Sequence, residues 1–218
     1  MTALFSSRGP ESGDIFDQIA SALRQAGYIV LNNVFPVTQL QTMLLDIKAM
    51  DSADFHQAGV GRERDHRVNR FVRRDRIFWL PQGHGPAVAY LDWMEQLRLR
   101  LNRELFLGLF DYECHYAHYP KGAFYKKHYD SFRGDSNRRL TTILYLNPVW
   151  NHDDGGELVI YSDSDDIIEQ LLPTLGTLVI FLSEEFPHEV LVSNRSRYSL
   201  TGWFRLNGSS SVNLDPPA

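Results

Sequence analysis

The sequence changes texture at Phe110, and that change constrains the fold more than any other feature. From there to Phe204 the chain breaks into short runs rich in β-branched and aromatic residues, at 110–119, 123–129, 140–146, 157–161, 176–182, 189–192 and 198–204. Turn clusters separate most of them, including Asn147-Pro148 and Asp153-Asp154-Gly155-Gly156. Runs of this length between turn residues read as strands. Many short strands in succession bury their faces by closing on one another as an antiparallel sandwich or jelly roll. The region before Phe110 carries a helical period instead. Ile15, Ile19 and Leu23 recur at i+4 ahead of Gly27, and Leu40, Met43, Leu44 and Ile47 follow Pro36 and Thr38. Pro86 suits the first turn of a third helix that buries Val88, Leu91, Leu97, Leu101 and Leu105 and stops near Gly108. Residues 28–31 read as a short strand, 51–70 as a long polar loop, and 71–80 as a strand with its arginines outward. Helices first and strands second predict a mainly β fold, a jelly roll with N-terminal helices packed on one sheet. The expected organisation is one domain over 1–218, with helical support at 11–109, a strand core at 110–206 and a frayed tail at 207–218.

Composition narrows the function classes. Hydrophobic residues make up 43% of the chain, enough for a substantial core, and the formal net charge is −5, which argues against a nucleic-acid partner. Arginines gather locally at Arg62, Arg64, Arg67, Arg70, Arg73, Arg74 and Arg76. Such a run is either a solvated face or a surface for an acidic partner. The lone cysteine, Cys114, allows no intrachain disulfide and no thiolate zinc site, which fits a reducing compartment. No signal-peptide pattern opens the chain and no apolar run approaches the ~20 residues of a membrane helix. A cytoplasmic protein without membrane contact is expected.

The chemistry-bearing residues lie in the strand-rich half. The pattern H-x-D occurs twice, at His128-Tyr129-Asp130 and His152-Asp153-Asp154. The first ends a β-like run, where residues two apart project to one side and can reach one ion. The second sits in a polar turn, a poor support for ligand geometry. His188 opens a further strand and is the candidate third donor. Two imidazoles and a carboxylate can hold a divalent iron on one face and leave the other open. Nine residues on, Arg197, Ser199 and Thr201 share one face of a strand by period 2. An inward arginine is costly without an anion to neutralise, and a bidentate pair with a dicarboxylate would supply one. Arg195, in the turn Ser193-Asn194-Arg195-Ser196, is more cheaply a solvated charge.

These stretches resemble the catalytic domain of the 2-oxoglutarate- and Fe(II)-dependent prolyl hydroxylases, above all the subgroup acting on hypoxia-inducible factor and its bacterial relatives. The similarity is carried by Tyr119-Pro120, His128-x-Asp130, Ile143-Leu144-Tyr145-Leu146-Asn147, Gly155-Gly156-Glu157-Leu158, Pro187-His188-Glu189-Val190 and Arg197-Tyr198-x-Leu200-Thr201-x-Trp203. Upstream, Arg73-x-Asp75-x-Ile77-x-Trp79 matches a strand of the same family. The resemblance implies a double-stranded β-helix with His128, Asp130 and His188 as iron ligands. It implies Arg197 on the distal carboxylate of 2-oxoglutarate, Tyr145 and Thr201 as hydroxyl contacts, and Tyr119 lining the same pocket. On the residues alone, Tyr145 and Tyr119 could equally be core or rim aromatics. The implied requirements are Fe(II), 2-oxoglutarate and O2, with ascorbate in support, and the co-substrate leaves as succinate and CO2. Asp130 fills the carboxylate position, so no open site invites halide and hydroxylation is the expected outcome. The implied partner is a protein carrying a target proline, elongation factor Tu if the source is bacterial. Trp203 and the arginines near 62–76 are candidates for the substrate rim or for simple packing and solvation. The loop carrying Arg133-Gly134-Asp135-Ser136-Asn137-Arg138-Arg139 differs in length from the animal enzymes of the family, and residues 51–70, in the place of a substrate-gripping loop, match poorly. Hydroxylation of free proline or another metabolite, and a non-catalytic jelly-roll binding module, are the alternatives.

Overall fold

The computed structural model describes residues 14–50, 54–57, 71–131 and 137–208. The arginine run at 62–70, the loop at 132–136 and the tail from 209 lie outside the described residues. Asp14 caps the first helix, α1 (Ile15–Gln25), accepting the Phe16 N–H. The chain then turns through Gly27 at φ 78° into strand β1 (Tyr28–Leu31). Helix α2 (Val37–Ala49) buries Leu40, Met43, Leu44 and Ile47, the face its spacing predicts. A 3-10 turn at Gly85–Ala87, with Pro86 inside it, leads into α3 (Val88–Leu105). That helix buries Tyr90, Met94, Leu97 and Leu101, a stripe of i+3 and i+4 steps. Val88 lies off the stripe and is 37% exposed, against the sequence expectation. No helix among the described residues is long and apolar enough to cross a membrane.

Two antiparallel sheets follow. The larger has the order β1-β9-β6-β11-β4-β3-β2, built from β2 (His56–Gln57), β3 (Arg76–Trp79), β4 (Leu109–Tyr119), β6 (Arg138–Tyr145), β9 (Leu178–Leu182) and β11 (Arg197–Leu206) with β1. The smaller has the order β5-β10-β7-β8, from β5 (Tyr125–His128), β7 (Leu158–Tyr161), β8 (Ile167–Leu171) and β10 (His188–Val190). Period-2 alternation sorts the side chains of the large sheet into two buried layers. Leu140, Leu144, Leu178, Ile180, Leu200 and Phe204 join one core with the three helices. Ile143, Tyr145, Val179, Phe181, Ala117 and Tyr119 join a second core with Leu158, Ile160 and Val190 of the small sheet. The architecture is a jelly roll with the helices covering the outer face of its large sheet.

Three local expectations change. The loop at 51–70 contains β2, whose two residues pair with β3. β8 has no counterpart in the expected strands, because Ile167-Ile168-Glu169-Gln170-Leu171 is an exposed edge segment without clean alternation. The strand expected over 71–80 is confined to Arg76–Trp79, and Arg73 does not face outward. Its guanidinium grips the fully buried Asp75 through two bonds of 2.7 and 2.5 Å. A buried carboxylate needs that partner, which is why the arginine turns inward.

Helices and sheet are also tied by a buried hydroxyl chain. Tyr90 of α3 and Tyr112 of β4 lie 2.7 Å apart at their hydroxyls, and Tyr112 reaches Thr142 of β6 at 2.7 Å. The Tyr112 ring crosses β11 at Gly202, where a Cβ would stand 2.3 Å from its Oη and 2.7 Å from the Cys114 Cβ. No side chain fits there. Gly202→Ala is expected to lower unfolding free energy in urea by about 1–3 kcal/mol through overpacking, and an unchanged midpoint would contradict this packing.

Candidate metal centre

β5 and β10 are antiparallel neighbours whose register sets His128 directly opposite His188. The ladder slips between His188 and Val190, a bulge-like irregularity of the kind that re-aims side chains beside sites. The two rings stand 4.3 Å apart at their centroids. Asp130, two residues past His128, places Oδ1 3.5 Å from His128 Nε2 and Oδ2 3.6 Å from His188 Nε2. One donor atom from each of the three residues falls within 4.8 Å of the others. Both rings are held from behind: Nδ1 of His128 lies 2.8 Å from the Lys126 carbonyl, and Nδ1 of His188 lies 3.0 Å from that of Phe186. An Nδ1–H donated to a carbonyl leaves the Nε2 lone pair free on the facing side. Tyr125 stacks on His128 at 3.5 Å and Phe181 meets His188 edge-on at 4.9 Å, which fixes both ring planes.

Electrostatics matches the geometry. Burial, aided by the nearby His128, pushes the His188 imidazole down to about 4, so the ring is neutral near pH 7. Burial acts to raise the Asp130 carboxyl, but His188, His128 and Arg138 outweigh it and hold the group well below the usual carboxylate range. An ionised carboxylate beside two imidazoles whose Nε2 atoms converge on it is a donor set for a divalent transition metal. His152 stays outside the cluster with its side chain 85% exposed, its nearest carboxylate being Glu157 at 4.0 Å.

Arg197 opens β11 and is 1% exposed. Its Nε donates to the Gly156 carbonyl at 2.9 Å, and its guanidinium lies 4.8 Å from the Tyr119 ring and 4.9 Å from that of Tyr145. Gly156, at φ 70°, leaves the space: a Cβ there would come within 3.1 Å of the Arg197 Cδ. No carboxylate of the described residues pairs with this guanidinium. The fully buried Tyr145 hydroxyl has no hydrogen-bond partner among them either. Burial pushes that phenol up to about 12 against the opposing charge of Arg197, so it stays a donor. Thr201 lies on the same β11 face, in register with Ile143 and His115. Arg195 is exposed in its turn and reaches the Val149 carbonyl.

Thr141, His115 and Arg138, also near the centre, had no role assigned from sequence. Thr141 donates to Asp130 Oδ2 at 2.8 Å. It shares one face of β6 with Ile143 and Tyr145, so period 2 is the signal that could have placed it inward. His115 packs between Trp79 and Trp203 at 5.0 and 5.4 Å, and Arg138 covers the Trp203 ring at 3.5 Å. Burial, with Arg73 adding to it, pushes His115 down to about 3, so it is a neutral wall residue.

Comparison with known proteins identifies the family. The family model described as 2OG-Fe(II) oxygenase superfamily matches residues 114–205. A Pseudomonas putida prolyl-4-hydroxylase structure superposes with a TM-score of 0.80 at 37% identity, covering 88% of this chain and 100% of that one. A Trichoplax adhaerens prolyl hydroxylase, solved in complex with a hypoxia-inducible-factor oxygen degradation domain peptide fragment, gives 0.76 at 27% identity over 88% and 89% of the two chains. Human prolyl hydroxylase EGLN3 is 28% identical over 198 residues, 86% of this chain and 82% of that protein. The chain belongs to the 2-oxoglutarate- and Fe(II)-dependent prolyl hydroxylases, and it is an oxygenase rather than a binding module on the same shell.

Proposed function

We propose that this enzyme hydroxylates a prolyl residue within a protein substrate, with iron held by His128, Asp130 and His188 and 2-oxoglutarate anchored by Arg197. One observation carries the assignment of Arg197. A guanidinium buried inside the roll, with one carbonyl and two aromatic faces around it, has no carboxylate partner among the described residues, and a buried charge needs one. A dicarboxylate co-substrate would supply that anion, and the Tyr145 hydroxyl, which has no hydrogen-bond partner among the described residues, would serve the same group as a second donor. Iron, 2-oxoglutarate and O2 together supply the oxidation of a C–H bond to an alcohol.

The chain contributes position and polarity. The three ligands come from one side, where the carbonyls of Lys126 and Phe186 fix both imidazoles. Arg197 would hold the far carboxylate of the co-substrate, Tyr145 and Thr201 would add hydroxyl contacts, and Tyr119 would wall the pocket. The wall of Trp79, His115, Trp203 and Arg138 stands on the Asp130 side, since Trp203 is in register with the Asp130-binding Thr141. That wall is a largely aromatic surface edged by Arg138, itself paired with Glu113, and suits a proline ring in a polypeptide. All of these elements serve one site, so we read the chain as a single oxygenase unit.

The choice of a polypeptide over free proline is supported by the Trichoplax relative, which takes a peptide on the same fold. The Pseudomonas relative favours a bacterial setting. There the polypeptide implied by the sequence resemblance is elongation factor Tu.

Arg197→Ala should raise the 2-oxoglutarate concentration needed for half-maximal succinate release by roughly 30-fold or more, since a buried charged pair is worth about 2–5 kcal/mol. An unchanged titration would exclude Arg197 as the anchor. For the substrate, elongation factor Tu is incubated with the enzyme and with its His188→Ala variant, and its peptides are compared by mass spectrometry. One oxygen gained at a proline, only with the intact enzyme, is the expected result. Unmodified peptides together with consumption of free proline would replace the protein substrate by the metabolite.

A further inference from the structure

The two histidines of the centre are held by strand ladders, but Asp130 is not: it lies beyond the last residue of β5. Something else must hold its carboxylate. Oδ2 accepts from the Thr141 hydroxyl at 2.8 Å, and the Thr141 oxygen lies 2.9 Å from the Ser183 hydroxyl. Both side chains are 0% exposed. An ionised carboxylate can only accept, so the single Thr141 proton is committed to Asp130. The second bond therefore runs from Ser183 to Thr141. All three groups form one directed chain, Ser183 to Thr141 to Asp130, in which each bond polarises the next.

Ser183 is itself anchored, because its backbone N–H donates to the Arg139 carbonyl at 3.1 Å. The segment from Ser183 to His188 thus touches the centre twice. At one end Ser183 supports Asp130 through Thr141, and at the other the Phe186 carbonyl orients His188.

We propose that Thr141 and Ser183 are positioning residues that hold Asp130 by one oxygen and present the other, Oδ1, to the metal. The inference rests on the metal-centre reading above and adds to it a relay that fixes how the carboxylate binds. The relay matters most here because this ligand lacks a ladder. Thr141→Val keeps the shape of the side chain and removes the donor.

The test is calorimetric binding of Mn(II) alone to the full chain, with the visible spectrum of the Co(II) form as a second readout. Thr141→Val should lose roughly 10–100-fold in Mn(II) affinity, the usual cost of removing an outer hydrogen bond from a metal ligand. Its Co(II) bands should shift as the released carboxylate changes its mode of binding. Thr141→Ser should recover most of the affinity, and Ser183→Ala should lose less than Thr141→Val. A folded Thr141→Val protein that binds Mn(II) as tightly as the parent, with the parent Co(II) spectrum, overturns the relay. Should Thr141→Val not fold, Ser183→Ala decides: lower affinity at an unchanged unfolding midpoint supports the relay, and unchanged affinity overturns it. His128→Ala separates the two levels, since retained Mn(II) binding in that variant would sink the metal centre itself.

Discussion

The site depends on one cross-strand pairing, His128 of β5 against His188 of β10. Residues far apart in sequence become neighbours only because these strands lie antiparallel in that register. A slip of one position would turn one imidazole to the opposite face. The register is held on both sides, since β10 also pairs with β7 through His188 opposite Ile160. Ile160 and Val190 belong to the core between the sheets, so hydrophobic burial and donor convergence favour the same alignment. The small sheet supplies the two nitrogens and the end of β5 carries the carboxylate, while β6 and β11 of the large sheet supply Thr141 and Arg197.

Charge inside the roll follows a second constraint. Each buried ion described here either has a partner of its own or stands where chemistry requires one. Arg73 and Asp75 neutralise each other, and the Arg73 guanidinium also lies 4.3 Å over the Tyr125 ring, the ring that stacks on His128. Arg138 pairs with Glu113 at 2.8 Å. Arg197 has no such carboxylate among the described residues, and Asp130 stands among His128, His188 and Arg138, which lower its pKa. The two groups left electrostatically incomplete are those a dicarboxylate and a divalent cation would complete. Closed pairs rigidify the wall, and open ones define what enters.

Much of this was legible in the sequence, for identifiable reasons. The faces of α1 and α2 and the strands β1, β4, β6, β7 and β11 were readable because strong periodicity coincided with burial. That Arg197, Ser199 and Thr201 share one face came from period 2 alone. What escaped was set by tertiary partners. Arg73 reads as a surface charge until Asp75 is seen buried beside it. Val88 fits a helical pattern but falls off the stripe, because the preceding 3-10 turn buries Ala87 instead. β8 is an edge strand, and its partly exposed residues carry little pattern. Ser183 and Thr141 are 42 residues apart, and no local signal joins two hydroxyls at that distance. The positions of His128, Asp130 and His188 were visible as a donor pattern; their convergence required the fold.

The central claim is that these three donors share one metal within reach of a keto acid. Anaerobic addition of Fe(II) and 2-oxoglutarate to the full chain tests it without turnover or substrate. A weak visible metal-to-ligand absorption should appear only when both are present, persist in His152→Ala and vanish in His188→Ala. Absence of the band in the intact protein, or its survival without His188, would contradict the account.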